Sequence, residues 1–503
     1  MAQSGKLSDL KSLIGNSIVY GLGNILLKAI TFLLLPLYTR FLTTADYGVI
    51  AVTNTITAVL CILYPMGLHG ALTRVYFDAE NQVERRQSTG TIWLAMMLGA
   101  ISMTVVLDRM GSSMFPLLLR EVAFRPYIRL AIWIAFFQTF SLLPLNLFQI
   151  QERPKLYVLT TAMSTLLTIG IIIQLVVFQR QGAYGYLFGM FLASAVLVVP
   201  YIFLTLRNIK ITVKNDILKK AVVYSLPLVA HGLAGWVLEL SDRVILERFV
   251  SMEALGLYSI GYQFGSIITI VATAINYAWV PFFFRVDAQE GEAGKPRLAS
   301  LATYYMAVLT WAALGLALLA KHVLFLLTAP SYHAGYQVIP WIIGGLFLSG
   351  LYYIPANCLF LKSKTGWIPI VTVISGIVNV CLNLMWVPRY GIMAAAWATF
   401  IAYGVMLGLV WVSSQRIYSF PYEYKRLGQI ILVGIILLIT GYSLSFNSML
   451  IEVLVRLAVW LTFPVILVAI GFFNIGGGEK GRAIIKQLLA STFKKVQSER
   501  PHE

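Results

Sequence analysis

Charge is scarce in this chain. Of its 503 residues only 12% are Asp, Glu, Lys or Arg, and acidic residues number 21 against 38 Lys and Arg. With 59% hydrophobic residues and a mean hydropathy of +0.80, no water-facing surface can be built around this composition. A soluble domain is excluded, and the class is a polytopic membrane protein. Cysteine is nearly absent. Cys61, Cys358 and Cys381 all lie in apolar stretches, and their spacing fits neither a disulfide framework nor a metal site. There is no P-loop, no metal-ligand spacing and no nucleophile motif. The chain therefore offers no catalytic residue, no cofactor site and no direct use of ATP. A cleavable signal is also missing: Met1 to Leu10 is polar, and the apolar stretch after it is too long. A net charge of +17 would suggest nucleic acid in a soluble protein. Here it reads as basic loops facing anionic lipid, with no nucleic-acid partner.

What is present is long apolar runs. A span needs roughly 20 such residues. Fourteen are predicted, at about 12–38, 48–70, 88–108, 127–150, 156–178, 184–206, 220–246, 256–283, 298–320, 335–361, 367–387, 392–413, 427–446 and 450–473. Pro36, Pro65, Pro144, Pro227, Pro281 and Pro355 fall inside or at the ends of spans, where kinks are expected. Basic residues gather in alternate loops: 26 of the 38 fall on one side, from Lys6 and Lys11 to the run Lys480 to Arg500. That side is cytoplasmic by the positive-inside rule, so both termini are cytoplasmic.

The chain also repeats itself. Arg40-Phe41, then Asp46-Tyr47-Gly48, recurs as Arg248-Phe249, then Leu255-Gly256-Leu257-Tyr258, an offset of 208. Lys155, Arg180 and Gly182 recur as Lys364, Arg389 and Gly391, an offset of 209. Each repeat holds six spans, an even number, so the two lobes run parallel about an axis along the membrane normal. The expected domains are lobe 1–210, lobe 211–420, two further helices over 421–475, and a basic tail over 476–503. The fold class is all-α integral membrane. In the tail, Ala483, Ile484, Ile485, Leu488, Leu489 and Phe493 share one side of a helix, which predicts an amphipathic helix lying on the membrane.

Few span residues can carry chemistry. Asn16, Tyr20, Asn24 and Lys28 step along the first span at i+4. Lys28 lies near mid-membrane, where a charge costs about 3 kcal/mol unless it faces a cavity or a partner. Span seven carries His231, Gly235, Glu239, Asp242 and Arg243 on one stripe. Glu239 precedes Arg243 by four, the favourable order for a helical ion pair. The group is therefore either self-neutralised or a substrate and coupling-ion site, with Glu239 and Asp242 as the ion-binding carboxylates. Span eight shows Tyr262, Ser266, Thr269, Thr273 and Asn276, and span two shows Asn54, Thr57 and Cys61. Such stripes either bind helices together or line a shared lumen. Arg74 and Arg285, with nearby His69, sit at the cytoplasmic ends of spans two and eight. Arginine there either obeys the positive-inside rule or captures phosphate with its planar fork.

Several short motifs carry a resemblance. They are Ser12-Leu13-Ile14-Gly15-Asn16, Leu35-Pro36-Leu37-Tyr38-Thr39-Arg40-Phe41-Leu42, Asp46-Tyr47-Gly48, Ser225-Leu226-Pro227 and Leu255-Gly256-Leu257-Tyr258-Ser259-Ile260. Together they resemble the polysaccharide-repeat (Wzx-type) flippases of the multidrug/oligosaccharidyl-lipid/polysaccharide exporter superfamily. The resemblance implies alternating-access flipping of an undecaprenyl-pyrophosphate-linked oligosaccharide across the cell inner membrane. It also implies a cationic lumen, which Lys28 matches, and a glycan polymerase and chain-length regulator as partner proteins. Two readings compete with it. One is a peptidoglycan-precursor flippase or drug/cation antiporter of the same superfamily. The other is a membrane glycan polymerase or ligase, which leaves the twofold repeat unexplained.

Overall fold

The computed structural model describes Gly21, Gly23, Ile30 and residues 32–472. Asn24 and Lys28 of the first predicted span lie outside these residues, as does the tail from 476 on. The described residues contain no strand. A helix is the economical answer for an open chain in hydrocarbon, because it pairs every N–H and C=O within one segment.

The helices are α1 (Leu35–Phe41), α2 (Thr44–Leu63), α3 (Leu68–Asp78), α4 (Gln82–Leu118), α5 (Arg129–Ile150), α6 (Pro154–Ile173), α7 (Gly182–Leu206) and α8 (Asn215–Phe249). They continue with α9 (Met252–Gly265), α10 (Ile267–Glu290), α11 (Lys295–Leu327), α12 (Ile339–Leu351), α13 (Tyr353–Leu361), α14 (Trp367–Ile417), α15 (Tyr424–Ser443) and α16 (Met449–Ala469). Among the described residues, 11 helical runs are long and apolar enough to cross a membrane. Two of them each hold two predicted spans. Met252–Leu327 runs on through α9, α10 and α11, and Trp367–Ile417 is broken at Gly391.

The predicted break at Pro65 is present. Helix α2 ends at Leu63, Met66 and Gly67 take φ of 47° and 68°, and α3 starts at Leu68. A Cβ on Gly67 would lie 2.7 Å from the Ser225 carbonyl of α8, so only glycine lets the turn approach that helix.

The repeat is visible in local geometry. Thr43 caps α2 through a capping box with Asp46, and Ser251, at the equivalent place, caps α9 by accepting from the Ala254 N–H. Gly48 meets the backbone of Met252, and Gly256 meets the backbone of Thr44, so a Cβ at either glycine would strike a carbonyl. The contact is reciprocal, residue for equivalent residue. Small residues permit this closeness between membrane helices. Gly182 and Gly391, also repeat partners, take left-handed φ of 56° and 58° where one helix turns into the next.

The chain forms two compact units. The first takes residues up to Tyr277 together with Val323–Ser419, and the second takes Ala278–His322 with the residues from Phe420. The boundary between the sequence repeats falls inside the first unit. There α2 packs along α9 and α8, and α14 packs along α8.

Candidate functional site

The first unit buries one arginine beside a cavity. Helix α8 contains Pro227 and presents Asp242 and Arg243 on consecutive residues. Arg243 is 6% exposed and Asp242 is 2% exposed. Arg243 Nη1 donates to Asp242 Oδ1 at 2.7 Å and to the Glu239 carbonyl at 2.6 Å. Its guanidinium lies 4.0 Å from the centre of the Tyr262 ring and 5.6 Å from that of Tyr258. The Tyr258 hydroxyl donates to the other Asp242 oxygen. Both carboxylate oxygens are thereby used. A buried ion pair is tolerated when hydrogen bonds satisfy its remaining atoms, and ring faces add cation–π attraction.

Arg243 opens onto a cavity of about 360 Å³. Tyr38, Tyr47, Asn54, Thr55 and Tyr186 line it from the first repeat, and Arg243, Ser259 and Gln263 from the second. Trp236 of α8 joins the two repeats beside it by donating to the carbonyl of Thr55, a lining residue, at 3.0 Å. Tyr38 and Tyr186 also wall a second cavity of about 280 Å³ inside the first repeat. Its other polar lining includes Gln138, Ser141, Ser164, Thr168 and Tyr201, and Ser164 and Tyr201 bond to each other at 2.7 Å. These surfaces can hold an anion at Arg243 and offer hydroxyl, amide and aromatic contacts beside it.

The predicted residues separate. Asp242 and Arg243 come together at the cavity. Glu239 does not form the expected i,i+4 ion pair. Its backbone carbonyl takes the arginine, its carboxylate makes no ion pair among the described residues, and its side chain is exposed. Asp242 wins because its oxygen is nearer the guanidinium and is already oriented by Tyr258 and by the Arg243 N–H, 2.8 Å away. His231 is exposed on α8, away from the lining. Arg74 is exposed, 3.8 Å from Asp78, with its guanidinium over the Tyr224 ring. Arg285 belongs to the second unit, where it is exposed and lies over the Phe282 ring. Lys28 and Asn24 are outside the described residues.

Several residues escaped the sequence reading. Tyr262 was read in the polar stripe of span eight, but Tyr258, one turn before it on the helix after Arg243, was not assigned to the site, although the i+4 spacing was a usable signal. Glu247 was not flagged. It is 0% exposed and accepts backbone N–H groups of Arg120, Glu121 and Val122 at 2.6–2.9 Å. Arg248 adds a bond to the Leu117 carbonyl at 3.0 Å. These bonds tie the end of α8, in the second repeat, to the loop after α4, in the first.

The comparisons with known proteins agree with this picture. A family profile described as "Polysaccharide biosynthesis protein" matches residues 13–287. "Lsg locus putative protein 1" of Haemophilus influenzae is 23% identical over 364 residues, covering 70% of this chain and 82% of that protein. Among solved structures, "Lipid II flippase MurJ, inward closed conformation" superposes with a TM-score of 0.71 at 14% identity, covering 90% of this chain and 98% of that one. An inward-facing multidrug resistance MATE family transporter gives a TM-score of 0.60 at 13% identity, covering 78% and 95%. At such identities the structures establish the fold, a multi-pass helical transporter fold.

Proposed function

Because the chain belongs to the polysaccharide biosynthesis protein family, we propose that it is a flippase for a lipid-linked oligosaccharide. The cargo is a surface-polysaccharide repeat unit on undecaprenyl pyrophosphate, moved across the inner membrane by alternating access. The observation that carries this reading is the buried Arg243 facing a polar cavity lined by both repeats. Arginine pairs with phosphate oxygens through a planar fork, and Tyr262 and Asp242 hold that fork in place. A cavity of this size suits a head group, with the lipid tail left in the bilayer. The resemblance implies a cationic lumen, and Lys28 is the further cation we assign to it from the sequence. A glycan polymerase and a chain-length regulator would receive the product.

Alternating access requires ends that open and close. With both termini cytoplasmic, the Gly48–Gly256 crossing and the Glu247 bonds lie at the external end. In this arrangement they hold that end shut, and opening it breaks them. A coupling ion must bind the two states unequally to drive the change. The Asp242 carboxylate is taken by Arg243 and Tyr258, so Glu239 is the group we assign to the proton or sodium ion.

The test is glycan export in cells lacking the chromosomal copy. Wild-type and Arg243→Lys chains should export, the lysine variant weakly, whereas Arg243→Gln at normal protein level should not. Full export by Arg243→Gln would remove the site. Rescue of cells depleted of their lipid II flippase, without glycan export, would favour the peptidoglycan-precursor reading instead.

A further inference from the structure

The second cavity of the first unit, about 280 Å³, has no charged side chain in its lining among the described residues. Tyr38 and Tyr186 wall both this cavity and the one at Arg243, so the two spaces adjoin. Their rings stand edge to face, with centres 5.7 Å apart. Helix α5 brings Gln138 to the lining, α6 brings Thr165, and α7 brings Ser194. On α7 the lining residues Tyr186, Met190, Ser194, Leu197 and Tyr201 step by three or four, so one whole helix face is given to the cavity.

Several polar groups there are unspent. Serine and threonine inside a helix commonly bond the carbonyl one turn back. Ser164 and Thr168 do so, at 2.7 and 2.8 Å. Thr165 and Ser194 do not, and neither hydroxyl has a hydrogen-bond partner among the described residues. Gln138 Oε1 accepts from the Cys61 thiol at 3.3 Å, and its amide N–H groups have no partner among these residues. The Tyr38 hydroxyl is buried and unpartnered too, in a residue 5% exposed. Unmet polar groups in a protein interior are met by water or by a ligand.

The lining selects among ligands. A lipid tail offers nothing to an amide and three hydroxyls. A sugar carboxylate would lie in a cavity without a cation, and burying an unpaired charge is costly. A neutral sugar ring meets both demands, with hydroxyls for Gln138, Thr165 and Ser194 and apolar CH faces for the rings of Tyr186 and Phe137. The volume lies just under the range of about 300–1,000 Å³ usual for small-molecule sites, which suits one sugar and not a whole repeat unit.

We infer that this cavity is the sugar subsite of the cargo. With the pyrophosphate at Arg243, a neighbouring sugar passes Tyr38 and Tyr186 and is selected as neutral by Gln138, Thr165 and Ser194. The inference rests on the flippase reading above and adds to it the class of sugar, a neutral hexose or N-acetylhexosamine. A sugar that lacks the matching hydroxyls leaves these groups unpaired, which is how a polar site discriminates.

The experiment is native mass spectrometry of the full-length detergent-purified protein with undecaprenyl pyrophosphate, bare or carrying glucose, galactose, N-acetylglucosamine or galacturonate. The quantity read is the ratio of sugar-bearing to bare carrier retained. In wild type at least one neutral sugar should raise that ratio about tenfold, the weight of one to three hydrogen bonds, whereas galacturonate should not raise it above one. Ser194→Ala should lower the neutral ratio about fivefold, the weight of a single hydrogen bond. Ser194→Leu, which fills the cavity, should bring it to one. If the leucine variant fails to melt cooperatively, the alanine variant carries the test alone. Arg243→Gln should lower retention of the bare carrier itself. Unaltered retention there strikes the phosphate assignment, and the ratios still decide the subsite. A ratio of one for every neutral sugar, a higher ratio for galacturonate than for any of them, or a ratio unchanged in the Ser194 variants overturns the inference.

Discussion

Among the described residues two arginines are buried beside a carboxylate, and their surroundings differ. Arg243 is held closely: Asp242 and a carbonyl take Nη1, two tyrosine rings flank the guanidinium, and one charge cancels one charge. Arg456 shares the Glu452 carboxylate with Lys321 and His322 and also donates to the Leu318 carbonyl. The first pair is balanced before any ligand arrives, and its binding face is the side turned to the cavity. The second gathers three nitrogen-bearing side chains about one carboxylate oxygen. A buried ion pair is therefore not one kind of object. The number of groups that share the carboxylate separates the two.

The largest effect should come from unbalancing the closed pair. Arg243→Gln leaves the buried Asp242 charge with only the Tyr258 hydroxyl and the N–H of residue 243, a loss of about 3–5 kcal/mol. It should abolish export and lower the melting temperature of the purified protein. Adding Asp242→Asn should recover the melt without recovering export; recovery of both would mean the pair is only structural. Arg456→Gln should destabilise less, by about 2 kcal/mol, because Lys321 and His322 remain beside Glu452. Melting curves of the two arginine variants taken side by side test that order, and a reversed order breaks the comparison.

Glu247→Gln should cost less again, about 1 kcal/mol, since an amide oxygen still accepts from the loop while the charge assistance is lost. Labelling of a cysteine placed in the cavity, with a reagent confined to the external side, should become faster. Unchanged labelling would remove Glu247 from the closure of that end. Smallest in stability is Glu239→Gln. Its side chain is exposed and its structural bond is made by the backbone, so the melt should shift by less than about 0.5 kcal/mol. The ion-gradient dependence of export should nevertheless disappear. Export that still follows the gradient eliminates Glu239 as the coupling site.

Some of this was legible in the residues and some was not. The glycine pairs Gly48/Gly256 and Gly182/Gly391 sit in the sequence repeat, and each pair has a backbone reason that glycine alone meets. Apolar length located the helical runs for the same reason: hydrocarbon allows the backbone few alternatives. Arg243 was found by periodicity, but its partner was misjudged. The i,i+4 rule describes side chains on an open helix surface, whereas here a tyrosine from the next helix fixed Asp242 first. Glu247 was illegible because its partners are backbone N–H groups, which every residue but proline owns. His322 and Glu452 lie far apart in the chain, and no spacing rule joins them.

The glycine crossing has a mechanical consequence. Backbone atoms in contact cannot be compressed or slid past a carbonyl, so while the contact holds, α2 and α9 can only swing about it. The crossing lies at the first turns of both helices, which makes each a lever hinged at one end. Helix α2 has 20 residues, about 30 Å at 1.5 Å per residue, so a swing of roughly 20° carries its far end about 10 Å. A pair of glycines without side chains thus sets the gearing: a small angle at the hinge becomes an opening as wide as a sugar ring at the other face.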